Sequence, residues 1–233
     1  MRTVLFVAAE AREFAGLLPR CSSVTKLDWH LDWAREARLN DARVYLVANG
    51  AGRMRAGEAA RLARSQARFD SVVSVGFCGA LDSRLRVTDI VIPNCIHWGD
   101  LRLPVSTPAT PRGFSRGDVI TADRVIQTAA EKSALREQEL LAVEMEAAGI
   151  ALQVREWELP FYSVKAVTDL AQEDFVVDYN AARRPDGRLS KTLILYEVMK
   201  RPRRGIGEVA RLAVRSKRAA QALGEFLADC RFE

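Results

Sequence analysis

The chain alternates short apolar runs with stretches of helical period. Residues 3–9 (TVLFVAA), 43–48 (RVYLVA), 71–75 (SVVSV), 87–93 (VTDIVIP), 140–143 (LLAV) and 161–167 (FYSVKAV) are runs of strand length, rich in β-branched residues. Most are apolar at nearly every position, which suits strands covered on both faces. Between them the spacing predicts helices. Phe14, Leu17 and Leu18 form one that ends at Pro19, and residues 53–69 place Met54, Ala60, Leu62 and Ala63 near one face. Residues 123–136 form another around Val125, Ile126, Ala129, Ala130 and Ala134, and a further one runs to Trp157. Beyond Asp169 an acidic, loop-like stretch reaches Asn180, residues 183–188 (RRPDGR) make a turn, and residues 192–199 form a strongly apolar helix. A last helix carries Ile206, Val209, Ala213, Ser216, Ala220, Leu223 and Leu227 on one face, with arginines and lysines opposite. Residues 20–40, with Trp29 and Trp33, fit either a hairpin or a helix. Residues 94–118 lack periodicity and read as a loop excursion with room for short strands, near a site entrance and holding a surface histidine, His97.

This alternation predicts an α/β fold with a mostly parallel sheet flanked by helices. Strand ends at Ala9, Ala48, Val75, Val143 and Val167 then gather on one edge, where open α/β sheets bind ligands. That edge displays Glu10 and Glu13, a turn at 49–52, a glycine turn at 76–80, Glu144 with Glu146, and Asp169. Gly50 and Gly52 form a G-x-G, but Arg55 stands where a dinucleotide fingerprint needs its third glycine. Close backbone packing explains these two glycines better. Gly76 and Gly79 fit a tight turn that aims N–H groups at a ligand, or a plain strand-to-loop turn.

Length and composition narrow the class. At 233 residues the chain buries roughly 70–75% of its unfolded surface and needs no disulfide or metal to fold. Cys21, Cys78, Cys95 and Cys230 lack C-x-x-C spacing and only His30 and His97 accompany them, so reduced thiols and no metal site are expected. The longest apolar runs are too short to span a bilayer. Glu10, Arg12 and Glu13 follow the first run directly, so no secretory leader is expected, and the chain reads as cytoplasmic. The net charge of +5 concentrates in the last helix, whose basic face is either solvated or rests on a membrane surface.

Several carboxylates without a metal-ligand set or a Ser–His pair point to acid–base work on a sugar-like substrate. Taken singly, each acid is as well explained as a cap or a solvated side chain; Glu146 at a helix start also sits well in the helix dipole. Two stretches carry more. Val143-Glu144-Met145-Glu146-Ala147-Ala148-Gly149-Ile150-Ala151 and residues 165–171 (KAVTDLA) resemble the two signatures of the purine nucleoside phosphorylase / methylthioadenosine–adenosylhomocysteine nucleosidase superfamily. Residues 76–81 (GFCGAL) resemble its glycine motif, and Ala8, Ala9 and Glu13 its N-terminal one. The C-terminal part, with residues 185–188 (PDGR) and an arginine- and proline-containing break before a basic helix, is similar to the hopanoid-associated members, which act on adenosylhopane.

The resemblance implies a single three-layer αβα domain over residues 1–233, with a basic helical extension at about 190–233, acting without a cofactor and as a homodimer. It implies Asp169 as proton donor to the purine N7, or as the residue that holds the donor; donating near pH 7 needs a raised pKa, which burial can supply. It implies Glu13 as the residue that activates water, with Glu10 as the alternative. Glu146 would hold the ribose hydroxyls, Met145 would pack beneath the sugar, and Glu144 would support them. Phe77, Cys78, Gly79 and Thr168 complete the expected substrate contacts. Val125 and Ile126 align with the purine-contacting pair, but the usual aromatic stacker is missing there, leaving Phe77 or Phe161 as substitutes. Phosphorylases of the group carry an arginine before the glycine motif and Ser/Thr within it; here Ser74 and Phe77 hold those positions. A phosphate needs charge-assisted donors, which only Arg12, Arg53 or Arg55 could supply. The sequence therefore favours water over inorganic phosphate as the nucleophile, with phosphorolysis as the alternative. The rival of another class is a non-catalytic basic protein that binds membrane or nucleic acid through its tail, although no nucleic-acid partner is expected.

Overall fold

The structure is a computed structural model that describes residues 1–184 and 190–233. The chain runs β1 (Thr3–Ala8), β2 (Ser22–Lys26), β3 (Trp33–Leu39), β4 (Ala42–Ala48), α1 (Arg53–Gln66), β5 (Ser71–Ala80), β6 (Ile90–Trp98), β7 (Leu101–Pro104) and β8 (Ser115–Thr121). It continues with α2 (Ala129–Arg136), β9 (Leu140–Glu144), α3 (Ala147–Glu156), β10 (Phe161–Asp169), α4 (Lys191–Lys200) and α5 (Pro202–Ala228). The strands make one mixed sheet in the order β10-β6-β8-β9-β5-β1-β4-β3-β2, and β7 pairs with β6.

β5 and β10 also pair directly, in parallel, from Phe161↔Val72 to Asp169↔Gly79. This contact closes β5, β10, β6, β8 and β9 into a ring, from which β1, β4, β3 and β2 extend as an open wing. β9 meets β5 antiparallel at Gly79↔Val143 and Ala80↔Ala142, so the C-terminal ends of β5, β9 and β10 come together. Helices cover both faces. On one, the alanines of α1 and α3 pack against Leu5, Val7, Val47 and Val72. On the other, Leu223, Phe226 and Leu227 of α5 pack on Val4, Phe6, Val73 and Val75. Full burial of side chains of this size contributes about 1.5–3 kcal/mol each, which is why a basic helix can dock on the sheet.

Several sequence expectations change. Residues 20–40 contain the β2–β3 pair, whose outer strand is exposed and polar, as suits a sheet edge. The stretch 76–80 is not a turn but the last half of β5, held extended between β10 and β9. Residues 94–118 are mostly strand, and none of them lines the candidate site. His97 is largely covered and its Nε2 lies 2.7 Å from Asp118. The helix expected from 123 begins only at Ala129, because Thr128 caps it and Glu131 reaches back to the Thr128 N–H. After β1 the chain forms two short 3₁₀ turns, Ala11–Phe14 and Leu18–Arg20, in place of a regular helix. The buried face of α1 is Ala56, Gly57, Ala59, Ala60 and Ala63, while Met54 is 73% exposed. On α5, Ile206 faces solvent. The expected turn at 185–188 lies outside the described residues.

Candidate active site

Three acids define the site, Glu13 and Glu146 buried and Asp169 partly exposed. Glu13 stands on the turn after β1, where its Oε2 accepts the N–H of Ala9 at 2.8 Å and of Glu10 at 3.0 Å. Burial, and then the charge of Glu146, raise its pKa to about 7. Glu10 points outward instead and pairs with Arg12 at 2.7 Å, so Glu13 is the acid of the two that turns inward. Glu13 can lie against β5 only because residue 76 lacks a side chain: a Cβ there would stand 3.2 Å from its Oε1.

The second acid is Glu146, at the start of α3. Its Oε1 accepts the Gly52 N–H at 2.9 Å and its Oε2 the Met145 N–H at 3.3 Å. Burial and the neighbouring Glu144 raise its pKa. Glu144 has a different occupation. Its Oε1 accepts the Thr121 hydroxyl, and its Oε2 accepts the N–H groups of Glu146 at 2.9 Å and Ala147 at 2.8 Å. The same oxygen lies 2.9 Å from Lys165 Nζ, and both side chains are fully covered. With its acceptors taken, Glu144 ties the end of β9 to the first turn of α3 and has little left for a ligand. Lys165 loses water on burial, which pulls its pKa down, yet Glu144, Glu146 and Glu13 outweigh this and hold it charged.

Asp169 ends β10. Its Oδ1 accepts from Thr168 Oγ1 at 3.1 Å, and its Oδ2 from Lys132 Nζ at 2.6 Å. Lys132, a cation that the sequence did not point to, is thus its direct partner. A Cβ at residue 79 would stand 2.7 Å from Oδ2, so the second glycine of the motif makes room for the second acid.

Together these acids open onto a cavity of about 370 Å³. Met145 and Glu144 line it with them, as do Phe77, Cys78 and Gly79 from β5, Val125 and Ile126 from the loop before α2, and Thr168. Burial and the Asp169 charge push the Cys78 thiol far up, so it stays neutral. Phe161, offered as a stacking residue, lies at the opposite end of β10, outside the cavity. Phe175 and Tyr179 line it instead, edge to face at 5.4 Å. Ile194 of α4 and Val209, Leu212 and Ala213 of α5 form an apolar wall, with Ser216 beside them. The sequence places Ile194 in an apolar helix and Val209, Ala213 and Ser216 on one face of the last helix, without marking either as cavity-lining. Arg12 and Arg124 reach the cavity rim, paired with Glu10 and with Glu131 at 2.6 Å. Arg53 stacks 3.9 Å from the Trp98 ring centre, and Ser74 is fully buried. Among the described residues no group of His, Cys, Asp and Glu is arranged to hold a metal ion.

The model of the family described as "Phosphorylase superfamily" matches residues 106–191. A 5′-methylthioadenosine/S-adenosylhomocysteine nucleosidase of Staphylococcus saprophyticus is 25% identical over 175 residues, which are 63% of this chain and 77% of the relative. Among solved structures, the nucleosidase of Neisseria meningitidis in complex with methylthio-immucillin-A superposes with a TM-score of 0.73 at 21% identity, over 98% of each chain. The S-adenosylhomocysteine nucleosidase of Streptococcus pyogenes gives 0.74 at 15% identity, over 98% of this chain and 95% of that one. In fold the chain is thus similar to the methylthioadenosine/S-adenosylhomocysteine nucleosidases, and its residues 106–191 match the phosphorylase superfamily model.

Proposed function

We propose that this protein hydrolyses the N-glycosidic bond of an adenosine-type nucleoside. The observation that carries the reading is the pair of acids seated on the two glycines of β5. Glu13 lies at Gly76 and Asp169 at Gly79, two glycines separated by about 10 Å of strand rise, and both acids line one cavity. Glu13, with a pKa of about 7, is poised to take a proton from water as it attacks C1′. Asp169 gives a proton to the purine N7, so the base leaves neutral. Glu146, fixed by the Gly52 and Met145 N–H groups, faces the ribose hydroxyls above Met145. Phe77, Phe175 and Tyr179 supply the aromatic surface for the base.

Water is favoured over phosphate because the arginines at the rim are engaged by acids, and because Ser74, at a phosphorylase donor position, is sealed from the cavity. The wall of Ile194, Val209, Leu212 and Ala213 suits an apolar 5′ substituent, whether the thioether of the relatives' substrates or a larger hydrocarbon such as hopane. On α4 the side chains of Leu195, Tyr196 and Met199 point outward beside exposed Lys200, Arg201, Arg203 and Arg204. That mixture fits peripheral contact with an anionic membrane from the cytoplasmic side. No helix among the described residues is long and apolar enough to cross one. A homodimer and the absence of any cofactor complete the proposal.

The test is adenine release from a series of 5′-substituted adenosines, with and without inorganic phosphate. Free ribose derivatives in both conditions are expected. A ribose 1-phosphate product that requires phosphate would replace hydrolysis by phosphorolysis. Liposome co-sedimentation that persists after Leu195, Tyr196 and Met199 are all changed to serine would remove the apolar part of the membrane proposal.

A further inference from the structure

We infer that Lys132 is a positioning residue for the acid step: it fixes which oxygen of Asp169 carries the proton and stabilises the charge left when that proton moves. The inference rests on the glycosidic cleavage proposed above. Lys132 sits in the first turn of α2 and its side chain is completely buried. Its ammonium has three hydrogens and three partners: Asp169 Oδ2 at 2.6 Å, the Leu170 carbonyl at 2.8 Å and the face of Phe175, whose ring centre is 5.2 Å away.

An ammonium donates and cannot accept, so Oδ2 must remain an acceptor. A proton on Asp169 therefore resides on Oδ1, the oxygen beside Thr168. Gly79 packs against Oδ2, so the carboxyl has no slack in which to exchange its two oxygens. In the reaction the proton passes from Oδ1 to the purine N7, while the C1′–N9 bonding pair goes to the base. Water supplies the new C1′–O bond and its proton goes to Glu13. The Asp169 carboxylate formed in that step faces a cation already in place, so this partner need not reorganise. An alternative role is a simple tie between α2 and the exit of β10. Such a tie would affect stability without regard to the charge on residue 169.

The experiment compares steady-state adenine release from a 5′-alkylthioadenosine by the wild type, Lys132→Met, Asp169→Asn and the double variant. Lys132→Met is expected to lower kcat about 10²-fold with KM changed less than about threefold. Added to Asp169→Asn, it is expected to change kcat less than about threefold, because an amide at position 169 develops no charge. A single variant with near-wild-type kcat, a loss confined to KM, or multiplying losses in the double variant would each overturn the inference. Should Lys132→Met fail to fold, Lys132→Gln keeps an N–H donor without the charge; wild-type kcat in that variant is equally fatal. If the wild type releases no adenine, the glycosidic reading itself fails, an outcome distinct from all of these.

Discussion

Adding a single methyl group at residue 79 tests how tightly the site is built. The Cβ of Gly79→Ala would lie 2.7 Å from Asp169 Oδ2 and 3.3 Å from its Cγ, where ordinary contact begins near 3.4 Å. The carboxyl must therefore give way by about 0.7 Å. It cannot do so freely, because Lys132 holds Oδ2 and Thr168 holds Oδ1. Gly79 has no positive φ, so alanine strains no backbone there, and overpacking should cost about 1–3 kcal/mol and leave the chain folded. A 1 Å misplacement of a catalytic group costs about 10²-fold, so a loss of about 30–100-fold in kcat is expected. The assay is initial-rate adenine release, with thermal unfolding measured in parallel. In an Asp169→Asn background the same substitution should add little. Turnover within threefold of wild type, or independent losses in the double variant, would refute the claim that the glycine is there to seat the acid.

Glu13 makes two linked pH predictions. As the base it must be ionised, so kcat/KM should rise through about pH 7, and Glu13→Gln should cost about 10²–10⁴-fold and flatten that limb. Because the folded state holds this proton from the ordinary 4.5 up to about 7, its contribution to stability is present below that window and lost as pH rises through it. Glu13→Gln should thus gain stability relative to wild type between pH 5 and 8, by up to about 3 kcal/mol; parallel Tm–pH curves for the two proteins would count against it. Lys165→Met leaves Glu144, Glu146 and Glu13 without their shared cation and should cost about 3–5 kcal/mol in urea unfolding. A cost under 1 kcal/mol would mean the cluster is balanced some other way. Val209→Asp, on the apolar wall, should raise KM for long-chain 5′-alkylthioadenosines far more than for adenosine, and an equal change for both would place the 5′ group elsewhere.

The strands were legible because buried strands leave continuous apolar runs, and residues 3–9, 43–48 and 161–167 each hold one. The acids were legible because they stand at the ends of such runs. The partners that set their behaviour were not. Lys132 lies on a helix and meets Asp169 from 37 residues away, and no periodicity marks a lysine as buried. The glycines of β5 looked like a turn, since glycine in a strand normally weakens it. Here their missing side chains admit Glu13 and Asp169, a tertiary demand with no local signature. Capping misplaced the start of α2 by several residues, although Thr128 and Glu131 carried the required spacing. Ile194 and Val209 showed helical spacing, but spacing cannot say whether an apolar face packs on protein or lines a cavity.

The closed ring of strands has a kinetic consequence. β10 joins β5 across nearly ninety residues, at Phe161↔Val72, and until it does Asp169 has no Gly79 to rest on. The open wing of β1, β4 and β3 involves shorter chain closures and can form sooner. Refolding should therefore restore backbone signal before it restores turnover. A nucleoside analogue spanning Glu13 and Asp169 would bind only the joined state and draw the population toward it by mass action.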